Sequence, residues 1–192
     1  MKNNQLSLHA LDLKEKAVCQ YVEQVYLDSF PPEERRDVVD FWALTQDEEK
    51  PFFIRIIWDA SDPIGFISYW ALDGFIYIEH FAFAEHARGK GAGTFTMQAL
   101  YDTLEKPLIL EVEPISNEQT QRRVNFYRRL GFHLWDDIDY LQPPYRPTDS
   151  SFALQLMTKG DLDLHTDLTR VVSSIYQIAY GVNENDEILK KL

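Results

Sequence analysis

Leu6-Ser7-Leu8-His9-Ala10-Leu11-Asp12-Leu13 alternates mostly apolar with polar residues, the two-residue period of a strand. From Lys14 to Phe30 the period changes: Val18, Tyr21, Val22, Val25, Tyr26 and Phe30 fall at helical spacing. Pro31 and Pro32 stop that helix, and the pattern from Glu33 to Leu44 predicts another with Pro32 near its first turn. Three aromatic and β-branched runs follow, Phe52 to Trp58, Ile64 to Trp70 and Phe75 to Phe83. Asp59-Ala60-Ser61-Asp62-Pro63 and Asp73-Gly74 separate them with turn chemistry, so the three read as an antiparallel meander.

Arg88 to Gly93 is a glycine-rich turn opening a helix through Glu105, with Met97, Leu100, Tyr101 and Leu104 on one stripe. Pro107 to Val112 reads as a strand. Ser116-Asn117-Glu118-Gln119 resembles a capping box and starts a helix that ends at Leu130-Gly131. Phe132 to Leu141 and Ser151 to Met157 are two further strands, joined by a loop with three prolines. Asp163 to Tyr180, apolar at 164, 168, 171, 172, 175 and 179, is a last helix stopped by Gly181 and followed by a polar tail. The order β α α β β β α β α β β α describes an α/β protein with a mixed, mostly antiparallel sheet flanked by helices. One domain is expected over residues 1–160, with the extra C-terminal helix and tail of 161–192 packed on it.

Composition narrows what such a fold can do. The chain has 192 residues, 45% hydrophobic and 14% aromatic, enough apolar material for one core. Its formal charge of −12 opposes nucleic-acid binding and favours cationic small molecules. A single cysteine, Cys19, forms neither an internal disulfide nor a cysteine-based zinc site, and is expected to pack within the first helix. No apolar run reaches the ~20 residues of a membrane helix. Lys2, Asp12, Lys14, Glu15 and Lys16 interrupt any signal-peptide core, so a cytoplasmic protein with no membrane partner is expected.

The stretch Arg88-Gly89-Lys90-Gly91-Ala92-Gly93-Thr94 lies between a strand and a helix. Small residues there let backbone N–H groups converge on an anion, and the helix adds its positive dipole end. Arg88 and Lys90 make it a local basic exception in an acidic chain. The alternative is a strand-to-helix turn that needs glycine only for positive φ. No window supplies Gly-x-x-x-x-Gly-Lys-Ser/Thr, and Gly-x-Gly-x-x-Gly fails at Thr94 or at Thr96. Arg/Gln-x-x-Gly-x-Gly/Ala is met by Arg88, Gly91 and Gly93.

With that pattern the chain resembles the GCN5-related N-acetyltransferase (GNAT) family, whose pyrophosphate loop for acetyl-CoA has this form. Asn125-Phe126-Tyr127-Arg128-Arg129-Leu130-Gly131-Phe132 is similar to the family's second motif, as are Ile78 to Phe83 and Leu110 to Glu113 to its strands. The resemblance runs from residue 6 to about 157. It implies acetyl-CoA as co-substrate, no metal, and diphosphate binding by Arg88, Gly89, Lys90, Gly91, Ala92, Gly93 and Thr94. The backbone of Phe81, Ala82 and Phe83 would face the thioester and pantetheine arm.

Acetyl transfer to an amine needs a neutral nucleophile and a proton for the departing thiolate. An alkylammonium with a pKa near ~10 leaves about one molecule in a thousand ready to attack at neutral pH. Glu79, on a strand with Phe81 and Phe83, is the first candidate base, with a pKa expected to be raised among aromatic neighbours. Glu111 on the neighbouring strand is its rival, and His80 is read as structural. Tyr127 packs in the helix stripe with Val124 and Leu130, or, as the resemblance implies, protonates the CoA sulfur. The resemblance also places part of the acceptor pocket at Phe30 to Arg36, with the loop Gln142 to Ser150, carrying Tyr145 and Arg146, as another wall. Glu33 and Glu34 are read as complementing a helix dipole. The expected function is N-acetylation of a primary amine, a small and cationic one, by direct transfer in a ternary complex. The alternative is a catalytically inactive CoA-binding module of the same fold. A monomer and a homodimer are both compatible with the C-terminal helix.

Overall fold

A computed structural model describes residues 5–89, 91–146 and 148–189. Its strands are β1 (Leu6–Ala10), β2 (Phe52–Asp59), β3 (Asp62–Leu72), β4 (Phe75–Phe83), β5 (Leu108–Val112), β6 (His133–Gln142) and β7 (Phe152–Lys159). Its α-helices are α1 (Lys16–Ser29), α2 (Val38–Gln46), α3 (Ala92–Leu104), α4 (Glu118–Arg129) and α5 (Leu164–Ser174). The seven strands form one sheet in the order β1-β2-β3-β4-β5-β7-β6, the mixed α/β architecture expected of the pattern. Among the described residues no helix is long and apolar enough to cross a membrane.

The chain divides into two compact units, one of Met1–Trp70 with Ile78–Glu105, the other of Ala71–Tyr77 with Lys106–Leu192. In the first, β1, β2 and β3 pair antiparallel, Leu8 opposite Ile57 and Ile56 opposite Phe66. The stripe read in the sequence supplies α1 with buried Val22, Val25 and Tyr26. Tyr26 stacks on Phe41 of α2 at 4.3 Å between centroids and meets Phe66 and His80 edge-on. A second cluster gathers Ile57, Ile64, Ala87 and Ala92 with Leu6, Leu8, Phe81 and Phe83. Cys19 is half-buried in α1, the helix in which it is expected to pack.

In the second unit β5 and β6 each pair antiparallel with β7. Buried Val124 of α4, Leu134 of β6, Leu156 of β7 and Leu164, Val171 and Val172 of α5 contribute to its core.

Three local expectations change. The helix expected over 33–44 is a 3-10 turn, Pro32–Glu34, followed by α2 from Val38. Between them the Arg36 N–H donates to the Tyr26 hydroxyl at 2.9 Å, and Arg35 stays extended, φ −147° and ψ 158°. A tertiary bond outweighs local helix propensity there. The α4 capping box starts one residue later than read: Asn117 accepts from the Thr120 N–H, and Thr120 Oγ1 accepts from the Asn117 N–H. The last helix is not uniform. It is α-helical to Ser174 and then makes a π-turn over Ile175–Ala179.

Candidate active site

β4 delivers the chain through a 3-10 turn, Glu85–Ala87, to Arg88 and the start of α3. Gly91 is the residue preceding α3, in the left-handed region at φ 82° and ψ −4°. A Cβ there would meet nothing within 4 Å, so glycine is needed for its backbone angle and the space beside it is open. Among the described residues no side chain caps α3, so its first turn keeps N–H donors for an outside acceptor. Arg88 Nε donates to the Phe83 carbonyl at 3.3 Å, tying the cation to the end of β4. Gly89, Gly91, Ala92, Gly93 and Thr94 follow as the motif requires. Lys90, the second expected cation, lies outside the described residues. An uncapped thirteen-residue helix behind a left-handed glycine fits a diphosphate group.

On β4, Phe81 and Phe83 pack edge to face at 5.1 Å, and Ala82 is buried. Glu79 has a fully buried side chain. Its Oε1 accepts from Arg36 Nη2 at 2.8 Å and Nε at 3.2 Å, and its Oε2 accepts from Trp70 Nε1 at 3.0 Å. Burial alone would raise its pKa; the Arg36 charge and these hydrogen bonds outweigh it, and the pKa is lowered. That reverses the expectation of a raised value, because a guanidinium rather than the aromatic neighbours dominates. His80 is buried beside Tyr26 and Phe30, within 3.3 Å of Ser68 Oγ. Burial pushes its imidazole down to about 4, so it is neutral at neutral pH and Arg36 is the cation that holds Glu79. Arg36 and Trp70 were not singled out in the sequence. Glu34, expected in a first helical turn, sits in the 3-10 turn instead.

In the second unit, Glu111 of β5 is surrounded by hydroxyls. Its Oε2 accepts from Tyr77 at 3.0 Å, Tyr180 at 3.0 Å and Gln142 Nε2 at 3.2 Å, and its Oε1 accepts from Tyr140. Tyr77 and Tyr180 hydroxyls are 2.8 Å apart, and Gln142 also donates to Tyr180 at 2.7 Å. The rings of Tyr145 and Tyr180 lie 5.2 Å apart, and Arg146 pairs with Asp149 at 3.3 Å. Burial, then the Glu111 charge, keep the Tyr77 and Tyr140 phenols far above their ordinary value. Tyr127 on α4 packs against Phe126 and Phe132 at 5.1 and 5.5 Å between centroids. Burial raises its pKa to about 12, so its hydroxyl stays protonated at neutral pH. The tyrosines around Glu111 escaped the sequence reading. Their one signal was compositional: four of the ten tyrosines fall between residues 140 and 180.

The Acetyltransferase (GNAT) family model matches residues 16–132. A solved Bacteroides thetaiotaomicron structure, "Putative acetyltransferase from GNAT family", is 38% identical, covers 92% of this chain and 99% of its own, and superposes with a TM-score of 0.87. A Bacillus subtilis (strain 168) protein, "Putative acetyltransferase YjbC", is 34% identical over 70 residues, 35% of this chain and 36% of the relative. The chain therefore matches about a third of that relative's length. A mutant of the spermidine N-acetyltransferase SpeG of Vibrio cholerae shares the fold at a TM-score of 0.59 and 16% identity, covering 81% of this chain and 94% of its own.

Proposed function

The chain belongs to the GNAT acetyltransferase family, and on that premise we propose that it moves an acetyl group from acetyl-CoA to a primary amine, by direct attack within a ternary complex. The observation that carries this reading is the β4–α3 turn, where left-handed Gly91 and an uncapped helix start leave donors for a diphosphate. Phe81, Ala82 and Phe83 would line the pantetheine arm, and Lys90 would add charge to that of Arg88. Acetyl-CoA supplies the acyl group as a thioester; this chain's residues bind it, free the amine of a proton and give one to the sulfur. The amine nitrogen forms the new C–N bond as the C–S bond breaks. The ammonium first loses one proton to a carboxylate or water; after attack the nitrogen loses a second to water, and the Tyr127 hydroxyl gives its proton to the sulfur and is reprotonated from water.

The geometry changes the ranking of the two carboxylates. Glu79 is held by Arg36 and Trp70 with a lowered pKa, the opposite of what a proton acceptor needs. We therefore assign Glu79 to holding Arg36 and the 30–36 loop, and the proton-accepting role to Glu111, whose donors Tyr77, Tyr140, Tyr180 and Gln142 are neutral groups rather than a guanidinium. Replacing each by glutamine in turn tests this. Glu111→Gln should lower kcat/KM most at low pH and less at high pH, where free amine is abundant. The same profile in Glu79→Gln alone returns the role to Glu79.

A non-catalytic CoA-binding module is the second reading, favoured by that occupied carboxylate on β4. A thermal-shift titration with acetyl-CoA, followed by thiol release across an amine panel, separates the two. A tight ligand at ~100 times its Kd adds ~2.7 kcal/mol of stability. Gly91→Glu should fold yet lose that gain, because a side chain and a negative charge would enter the diphosphate position. Binding without turnover across the panel identifies the module, and unchanged acetyl-CoA affinity in a folded Gly91→Glu variant refutes the loop assignment.

A further inference from the structure

We infer that the C-terminal segment is a working part of the acceptor site: its π-turn sets Tyr180 against Glu111, and Glu111 so held binds the ammonium group of a cationic acceptor. This rests on the acetyltransferase reading and extends it to a segment beyond the family match, which ends at residue 132. Three independent features meet at one carboxylate.

The first is the π-turn. Tyr180 N–H donates to the Ile175 carbonyl at 3.2 Å, five residues back, and Val182 N–H reaches the Tyr176 carbonyl at 2.9 Å. A π-turn inserts a residue into helical spacing and is frequent at functional sites, where it re-aims side chains at a cost in helix geometry. Here it buries Ile175 and Ala179 on the core side while also burying Tyr176, whose hydroxyl donates to the Leu141 carbonyl at the end of β6. Tyr180 follows directly, with its hydroxyl on Glu111.

The second is the proton count. Glu111 Oε2 and the hydroxyl oxygens of Tyr77 and Tyr180 lie mutually within 3.0 Å, yet two phenols supply only two protons. One phenol O–H can therefore turn from the carboxylate to the other phenol oxygen, so the cluster can exchange partners when a new donor arrives. An ammonium is such a donor, with three N–H groups.

The third is the surround. Tyr77, Tyr140 and Tyr180 donate to Glu111, while the Tyr145 ring packs on Tyr180 and Tyr176 on Tyr140. Phenol oxygens gathered around a carboxylate offer several acceptors to a cation and disfavour an anion. A carboxylate used only to pin β5 to the helix would need Tyr180 alone, whereas Tyr77, Tyr140 and Gln142 donate to it as well.

Tyr180 acts through Glu111 and is a positioning residue, so the test must read more than stability. Acetyl-CoA and 1,4-diaminobutane are assayed with the full chain, Tyr180→Phe and Glu111→Gln. Tyr180→Phe removes a donor from the anion, and should raise KM for the diamine about five- to tenfold and move the acid limb of kcat/KM to higher pH, with KM for acetyl-CoA within about twofold. Glu111→Gln should raise the diamine KM by about thirtyfold or more and replace that limb by a fall in kcat/KM that follows the free amine alone. A folded Tyr180→Phe with the parent's diamine KM and pH profile overturns the inference. If the parent releases no thiol with any amine, the transferase reading fails instead, and calorimetric titration of the diamine into the CoA-saturated proteins decides the inference alone. Weaker diamine binding in both variants supports it, and equal affinity in all three overturns it.

Discussion

Arg36 and Glu79 form the most consequential pair at the scale of single residues. The carboxylate is fully buried, and its two guanidinium bonds and one indole bond replace the water it lost. Breaking such a pair by removing one partner leaves a buried charge and costs about 3 kcal/mol or more. Arg36→Met should therefore destabilise the chain by about that amount at pH 7, with Arg36→Met/Glu79→Gln recovering much of the loss. The pH dependence has a definite sign. In the parent, Glu79 has a folded pKa below its unfolded value of ~4.3, so its contribution is present above that pH and is lost as pH falls towards the folded pKa. Without Arg36, burial raises the folded pKa above the unfolded one. The contribution then falls as pH rises through that higher value, so the gap between parent and Arg36→Met should narrow from pH 7 to pH 5. Urea denaturation at the two values checks it, and a gap that does not change with pH shows that Arg36 stabilises by packing on Trp70, 5.7 Å from its ring centroid, rather than by charge. Nothing in the sequence around Glu79 pointed to this, since Arg36 lies forty-three positions away in an apparently helical stretch.

Elements were legible wherever one face decides the pattern. α1, β2 to β5 and α4 stand within a few residues of their expected places, because alternating or helical spacing of apolar side chains directly encodes which face is buried. The departures occur where a long-range bond sets the backbone, as at Arg35 and Arg36, or where helical spacing survives a change of helix type, as at 175–179. The candidate site divides the same way. The glycine turn is local in sequence and was readable; the Glu111 cluster draws on residues from β4, β5, β6 and the C-terminal π-turn and was not. Two glycines show how one residue type serves different elements. Gly91 has open space and an angle that favours glycine, whereas a Cβ at Gly65 would lie 2.4 Å from the Ala82 carbonyl oxygen and 2.8 Å from the Phe83 ring. Gly65 in β3 thus permits the close approach of the end of β4, from which the turn to Arg88 departs. Gly65→Ala should cost about 2 kcal/mol, with a melting temperature lower by roughly 4–8 °C, and should weaken acetyl-CoA binding through displacement of Phe83. Gly91→Ala should cost about 1 kcal/mol from backbone strain alone. Equal melting temperatures for Gly65→Ala and the parent would mean that β3 and β4 separate freely.

For the whole molecule the decisive property is charge. The chain has a net charge of −12 and its proposed co-substrate is itself an anion, for which the glycine turn would supply few cations, Arg88 and Lys90 among them. The remaining field should repel acetyl-CoA at a distance and attract an ammonium, so salt should weaken encounter with the amine more than encounter with acetyl-CoA. Raising ionic strength from 0.1 M to 1 M, with screening lengths of ~10 Å and ~3 Å, leaves short-range contacts largely intact and removes the long-range field. The kcat/KM for 1,4-diaminobutane should fall several-fold over that range, while kcat/KM for acetyl-CoA should fall less or rise. Acidity that serves only solubility would leave the ratio of the two unchanged, since neither encounter would then be steered. The comparison is internal to one chain under one set of salts, so a general effect of salt on folding or chemistry moves both values together and cancels. A ratio that stays flat, or a preference for 4-aminobutanoate over the diamine at low salt, removes the cationic acceptor and leaves the acetyltransferase reading in place.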